Sequence, residues 1–302
     1  MVHLPAHVAR ARADELIVVG SLVRAAERVL PAMPSALDAP LAAAMGSAAF
    51  LGSSRARDAV LANLAVVAPE RADAGTARQV FVEQARNYLE IFRLPRMAPA
   101  KLRASIEKRG WENFTSAHER GAGVIVASAH LGPISLVGQV LVAYGFATVL
   151  PVETERSEFQ RAVNRARATM GLQLVHAETP LAIVRALRDG KVFGLLADRA
   201  VTGVGERVPF FGREALLPSV HVALALRTGA PLIPAFSGRE GNTLTASFEP
   251  PLELRSTGDR DADVREGVRR WALVLERYVR RSPEQWTVFE RFWSSAPMKV
   301  RA

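Results

Sequence analysis

The chain has 302 residues, 49% of them hydrophobic and 23% charged, a globular balance with enough length for a sizeable core. It has no cysteine, which excludes disulfides, Cys-ligated zinc and thiolate nucleophiles and fits a protein that never meets an oxidising lumen. The net charge of +9 is carried almost wholly by arginine, since Lys101, Lys108, Lys191 and Lys299 are the only lysines.

Arginine grips phosphate in a fixed fork. The charge therefore points to an anionic membrane surface, a phosphorylated substrate or an acidic carrier protein. Nucleic acid is not expected, because no basic patch interleaved with aromatics is visible. The N-terminus (MVHLPAHVARARADEL) lacks the apolar core and cleavage site of a signal peptide. The longest apolar stretch, Ala39–Leu51, is too short for a membrane span. A soluble or peripheral protein on the cytoplasmic face of the cell membrane is expected.

Residues 1–100 read as a helical section. Leu16, Val19, Val23, Ala26 and Leu30 form one apolar stripe with Arg24, Glu27 and Arg28 facing away. That stripe suits either a core or a lipid interface. Pro31 and Pro34 end this helix. Helices follow over Ser54–Val67 and Thr76–Phe92, the second with Phe81, Ala85, Tyr88 and Phe92 on one face.

From residue 101 to 302 the pattern becomes that of one continuous α/β domain. Strands are expected at Gly123–Ser128, Phe146–Val152, Leu172–Val175, Val192–Leu196, Pro231–Ser237 and Leu244–Phe248. Helices fall between them at Pro133–Tyr144, Ser157–Met170, Pro180–Arg188 and Leu217–Arg227, with Asp261–Arg280 closing the fold. This alternation predicts a mostly parallel central sheet covered by helices.

The stretch Val124–Gly138 (VIVASAHLGPISLVG) reads as a strand, a tight turn and a helix start. It puts His130 at the carboxyl end of a strand, where ligands of open α/β sheets bind and an imidazole can act as a base. Such a base needs a partner to hold its tautomer and stabilise the imidazolium. Ser135, five residues on, can orient the ring but cannot offset its charge. Glu153, Glu155, Asp198 and Glu206 follow other strands and could converge on the same edge. Ser135 as a nucleophile lacks the G-x-S-x-G elbow. His118, His176 and His221 show no metal-ligand spacing, so no metal is expected. Arg199, Arg207 and Arg213 surround a loop with Gly203 and Gly205 and could bind phosphate. The adjoining VPFFG places Phe210 and Phe211 in a core or pocket.

Several of these segments, in this order, resemble the bacterial lysophospholipid acyltransferase superfamily. They are SAHLG, RARATMGLQLV (Arg165–Val175), ADR (Ala197–Arg199), VPFFG, ALRTGAPLIPAF (Ala225–Phe236) and PEQWTVFERFW (Pro283–Trp293). The resemblance spans residues 15–295 and lies in the branch of the lipid A late (lauroyl/myristoyl) acyltransferases and mycobacterial phosphatidylinositol mannoside acyltransferases. It implies a glycerol-3-phosphate acyltransferase-like fold. It also implies transfer of a fatty acyl group from acyl-CoA or acyl-carrier protein to a hydroxyl of a lipid or glycolipid, with no other cofactor. The family motif is a histidine, four residues, then Asp or Glu, usually with Gly-Asn-Trp inside. Here Pro133, Ile134 and Ser135 stand where Asn, Trp and the acid are expected.

The resulting expectation is an acyltransferase with His130 as general base, and Glu153 or Glu206 in place of the missing acid. Backbone N–H groups near Gly132 would stabilise the oxyanion. Asp198, Arg199, Arg207 and Arg213 would contact substrate, and an apolar groove between helix Ile134–Tyr144 and Phe210–Phe211 would take the acyl chain. Two alternatives stay open. One is a non-catalytic acyl- or lipid-binding protein on the same fold; the other is an acyltransferase acting on a specialised metabolite.

Overall fold

A computed structural model describes residues 23–293, apart from residues 153, 154, 156, 177, 178, 202 and 242. Leu16 and Val19, at the start of the expected apolar stripe, therefore lie outside the described residues. Its described end, helix α1 over residues 23–29, sets Val23 against the apolar side of the following helices, and Leu30 joins it there. Those two positions serve the core.

The helical section continues with α2 (Asp38–Gly52), α3 (Ser54–Val67), α4 (Ala74–Arg93) and α5 (Pro99–Ser105). The alanine-rich stretch that is too short for a span forms α2, packed closely on α4. A Cβ at Gly46 would sit 2.5 Å from the Val82 backbone, so the two helices meet along small residues. Asp73 caps α4 by accepting from the Thr76 N–H at 2.8 Å. Phe81, Ala85 and Phe92 are buried on one face of α4, as the spacing predicts.

Beyond it come β1 (Ile106–Arg109), α6 (Trp111–His118), β2 (Val124–Ser128), α7 (Ser135–Ala143), β3 (Thr148–Val152), α8 (Glu158–Ala168), β4 (Gln173–His176), α9 (Pro180–Arg188) and β5 (Val192–Leu196). A hairpin follows, β6 (Glu206–Phe210) and β7 (Arg213–Leu217), then α10 (Val220–Thr228), β8 (Leu232–Glu240), β9 (Thr243–Phe248) and α11 (Arg260–Arg281). The seven-stranded sheet runs β1-β9-β8-β2-β5-β3-β4. It is mostly parallel, with the β8–β9 pair antiparallel.

Strand periodicity divides the core into two layers. Ile125, Ala127, Phe193, Leu195 and Leu232 point to the side of α9, α10 and α11. Val124, Val126, Val192 and Ile233 point to the side of α5, α6 and α7. The first layer also takes Val60, Leu64, Val80 and Phe81 from α3 and α4, so the helical section shares a core with the sheet. No helix among the described residues is long and apolar enough to cross a membrane.

Some elements differ from the sequence expectation. Short β1 and α6 are not evident from periodicity. The segment expected to start a helix at Leu217 instead ends β7, and α10 begins at Val220. The VPFFG loop is the tip of the hairpin, where Phe211 (φ 51°) and Gly212 (φ 70°) both lie in the left-handed region. That is the backbone of a type I′ turn, normally signalled by Asn-Gly or Asp-Gly. Phe211 holds the position because its N–H donates to Glu276 and the Arg280 guanidinium lies 4.7 Å from the centre of its ring.

His221 is wholly buried on α10 against Trp271, and neither ring nitrogen has a hydrogen-bond partner. Burial lowers its pKa from 6.5 to about 3. The unfolded chain accepts a proton near pH 6.5 that the folded imidazole refuses until about pH 3. Stability therefore falls as pH drops through that window, by about 1.4 kcal/mol per pH unit. His221→Leu removes this acid sensitivity. In urea unfolding at pH 7 and pH 5, the variant should lose about 2 kcal/mol less than the wild type on acidification.

Candidate active site

Strands β2 and β5 are parallel neighbours, with Ser128 opposite Leu196. The Ala197 N–H donates to the Ser128 carbonyl at 2.8 Å and carries the ladder one residue further. His130 and Asp198 each stand two residues beyond that pair, so the register sets them side by side. His130 Nδ1 lies 2.8 Å from Asp198 Oδ1. Asp198 Oδ2 accepts from the His130 backbone N–H at 3.0 Å and from Trp286 Nε1 at 3.1 Å. Asp198 is therefore the carboxylate partner of His130.

Asp198 has no solvent exposure. Burial acts to raise its pKa, but the interactions with His130 and Trp286 outweigh it and hold the carboxyl below its ordinary value. An ionised carboxylate only accepts, so the imidazole proton sits on Nδ1 and the lone pair on Nε2. The His130 side chain is 22% exposed and lines the main cavity.

The turn carrying His130 is clasped by the C-terminal segment. The Thr287 N–H donates to the His130 carbonyl at 2.8 Å, and the Gly132 N–H donates to the Gln285 carbonyl at 2.9 Å. From the other side Asn87 Nδ2 on α4 donates to the Gly132 carbonyl at 2.8 Å. Gly132 has φ 61°, and a Cβ there would sit 2.6 Å from the Ser237 carbonyl oxygen, so only glycine fits. Trp271 Nε1 braces the neighbouring strand end by donating to the Ala197 carbonyl at 2.9 Å.

Other expected site residues fall elsewhere. The Gly132 N–H is engaged by Gln285, which removes it as an oxyanion donor. Ser135 Oγ accepts from Arg167 Nε at 3.2 Å rather than meeting His130. Glu206 pairs with Arg265 at 3.3 Å and is not in the cavity wall. Glu155 accepts from Asn164 at 2.8 Å, and Glu153 lies outside the described residues. Arg199 reaches the cavity wall but pairs with Glu290 at 2.8 Å. Arg207 pairs with Glu214 in the exposed hairpin, Arg213 is exposed there as well, and neither is in the cavity wall with Arg199.

Phe210 is fully buried among Trp286, Phe292 and Trp293 and does not bound a groove. The cavity, about 890 Å³, instead runs from His130 between the sheet and α7, with further walls from α9 and the start of α10. Val137, Gly138, Leu141, Leu150, Leu172 and Leu196 make much of its lining apolar. Sequence reasoning missed Trp286 and Arg167. Their signals were present in the QWT and RARATM segments, but only the fold shows what each touches.

Two comparisons with known proteins bear on this site. A family model for bacterial lipid A biosynthesis acyltransferases matches residues 10–295. A phosphatidylinositol mannoside acyltransferase of Mycolicibacterium smegmatis is 29% identical over 222 residues, covering 72% of this chain and 71% of that protein. Its namesake from Mycobacterium tuberculosis is 30% identical over 217 residues, covering 69% and 67%.

The indole donor to Asp198 has a measurable role. Trp286→Phe leaves the buried carboxylate with one fewer donor, and should lower stability in urea unfolding at neutral pH by about 1–3 kcal/mol.

Proposed function

We propose, because the chain belongs to the bacterial lipid A biosynthesis acyltransferase family, that it moves a fatty acyl group from an acyl thioester to a hydroxyl, with His130 as base. Family membership makes it an acyltransferase with an acyl donor and a lipid or glycolipid acceptor. Acyl-CoA or acyl-carrier protein is the proposed donor. The acceptor class suggested by the relatives' names is a mannose-bearing phospholipid. The observation that carries the reading is the His130–Asp198 pair beside a largely apolar cavity.

In this mechanism His130 Nε2 takes the proton of the acceptor hydroxyl as its oxygen adds to the thioester carbonyl carbon. Asp198 stabilises the imidazolium that forms. The tetrahedral adduct collapses with cleavage of the C–S bond, and the imidazolium returns the proton to the departing thiolate. The acyl chain lies along α7 in the cavity. We place the protein peripherally on the cytoplasmic face of the membrane. Val201, Val204 and Val220 are exposed apolar residues in the cavity wall, and Leu181 is exposed beside it. The net charge of +9 suits an anionic bilayer or an acidic carrier.

The idea of a non-catalytic binding protein rested on the acid missing at Ser135. With Asp198 against His130, that reason is gone. Thiol release from acyl-CoA and acyl-carrier thioesters, with extracted membrane lipid as acceptor, tests the mechanism. His130→Ala and Asp198→Asn should lower turnover by about 10²–10⁴-fold, whereas Glu206→Gln should leave it unchanged. The labelled product identifies the acceptor, and full turnover in His130→Ala would overturn the mechanism.

A further inference from the structure

Arg167 lies half-buried on α8 in the cavity wall, with its carbonyl accepting from Gln139 Nε2 at 2.8 Å. Its Nε donates to Ser135 Oγ at 3.2 Å. No carboxylate among the described residues pairs with it, in contrast to Arg199 in the same wall, which pairs with Glu290. Burial lowers its pKa from the ordinary value, opposed only by the Tyr88 phenol.

The first turn of α7 lies at the same point. Ser135 opens that nine-residue helix, which has no acidic residue in its first turn and no side-chain cap. Helix N-termini favour negative charge. The guanidinium and a helix N-terminus thus meet at Ser135, with no acidic side chain among the described residues paired to either. A cation facing an apolar cavity favours an anionic partner there. The acidic position of the family motif falls on Ser135, so a carboxylate there would have met Arg167.

We infer that Arg167 and Ser135 form an anion subsite in the apolar cavity, and that its occupant is the carboxylate of a free fatty acid. The guanidinium fork matches a carboxylate in two parallel hydrogen bonds, Ser135 Oγ adds a third contact, and the alkyl chain fills the apolar lining. A fatty acid supplies one negative group on one chain, which suits one cation in an apolar cavity that no described carboxylate pairs with. The inference rests on the proposed use of this cavity for acyl chains. Water in place of the acceptor would leave the same acid behind when it cleaves an acyl thioester, with the thiol as the other product. A retained fatty acid would then compete with the donor.

The test is calorimetric titration of the full chain with laurate and with methyl laurate, both below micelle formation, at neutral pH. Laurate should bind the wild type about 10–100-fold more tightly than its neutral ester. Ser135→Glu, which supplies the missing carboxylate internally, and Arg167→Gln should each abolish that preference while methyl laurate binding persists. Equal binding of laurate and ester to the wild type would overturn the inference. So would a folded Ser135→Glu variant that keeps the laurate preference, which decides the matter even where Arg167→Gln does not fold. Charge-dependent laurate binding without thioester turnover would sink the proposed function alone. His130-dependent turnover with charge-independent binding would sink the subsite alone.

Discussion

The buried carboxylate of Asp198 is the interaction on which the site depends. A carboxylate without solvent survives in a protein interior only when donors replace its water shell, and here three do so from two separate segments. Two come from His130 and one from Trp286. The same three bonds set the ring's tautomer, fix the direction of Nε2 and tie the C-terminal segment to the strand ends. One charge thereby organises chemistry and fold together.

The rest of the architecture serves to keep that charge and its partners in place. Parallel register between β2 and β5 brings the two residues to the same edge of the sheet. The closing Gln285–Thr287 segment pairs with the His130 turn as a short antiparallel bridge. Gln285 also grips the backbone of Arg239 through both ends of its side-chain amide, and the Arg239 guanidinium reaches Glu83 and Glu90 on α4. The helical section, the C-terminus and the sheet are thus fastened behind one turn. Gly132 permits this because a side chain there would collide with β8.

Two places for an acid near His130 follow from this geometry, and they meet different groups. A carboxylate at the end of β5 lies against the imidazole and stabilises its charged form. The place at the start of α7 lies against Arg167, beside the cavity that the acyl chain would enter. A neutral residue at the second place leaves Asp198 on His130 and affects only the charge of the cavity wall. A serine at 135 therefore bears on the charge of the cavity wall, separate from what His130 is paired with.

Much of the fold was legible in the sequence because periodicity reports burial directly. The apolar run Val124–Val126 marks a strand covered on both faces, and the spacing of Val264, Val268, Trp271 and Leu275 marks the inner face of α11. The same reading put His130 at a strand end and named Asp198 among the acids able to reach that edge. It preferred Glu153 or Glu206 as the acid beside His130 and gave Asp198 to substrate, because strand order is a property of long-range pairing. A strand's own residues do not say which neighbour it will take. The hairpin at Phe210–Phe211 was hidden for a related reason, since Glu276 and Arg280 on a distant helix support its left-handed turn. Local pattern alone thus determined the α/β class, the position of His130 and the absence of an acid at 135. Only the tertiary structure decided which carboxylate holds the histidine, that Trp286 donates to it, and that no described carboxylate pairs with Arg167, because each depends on residues brought together from separate parts of the chain.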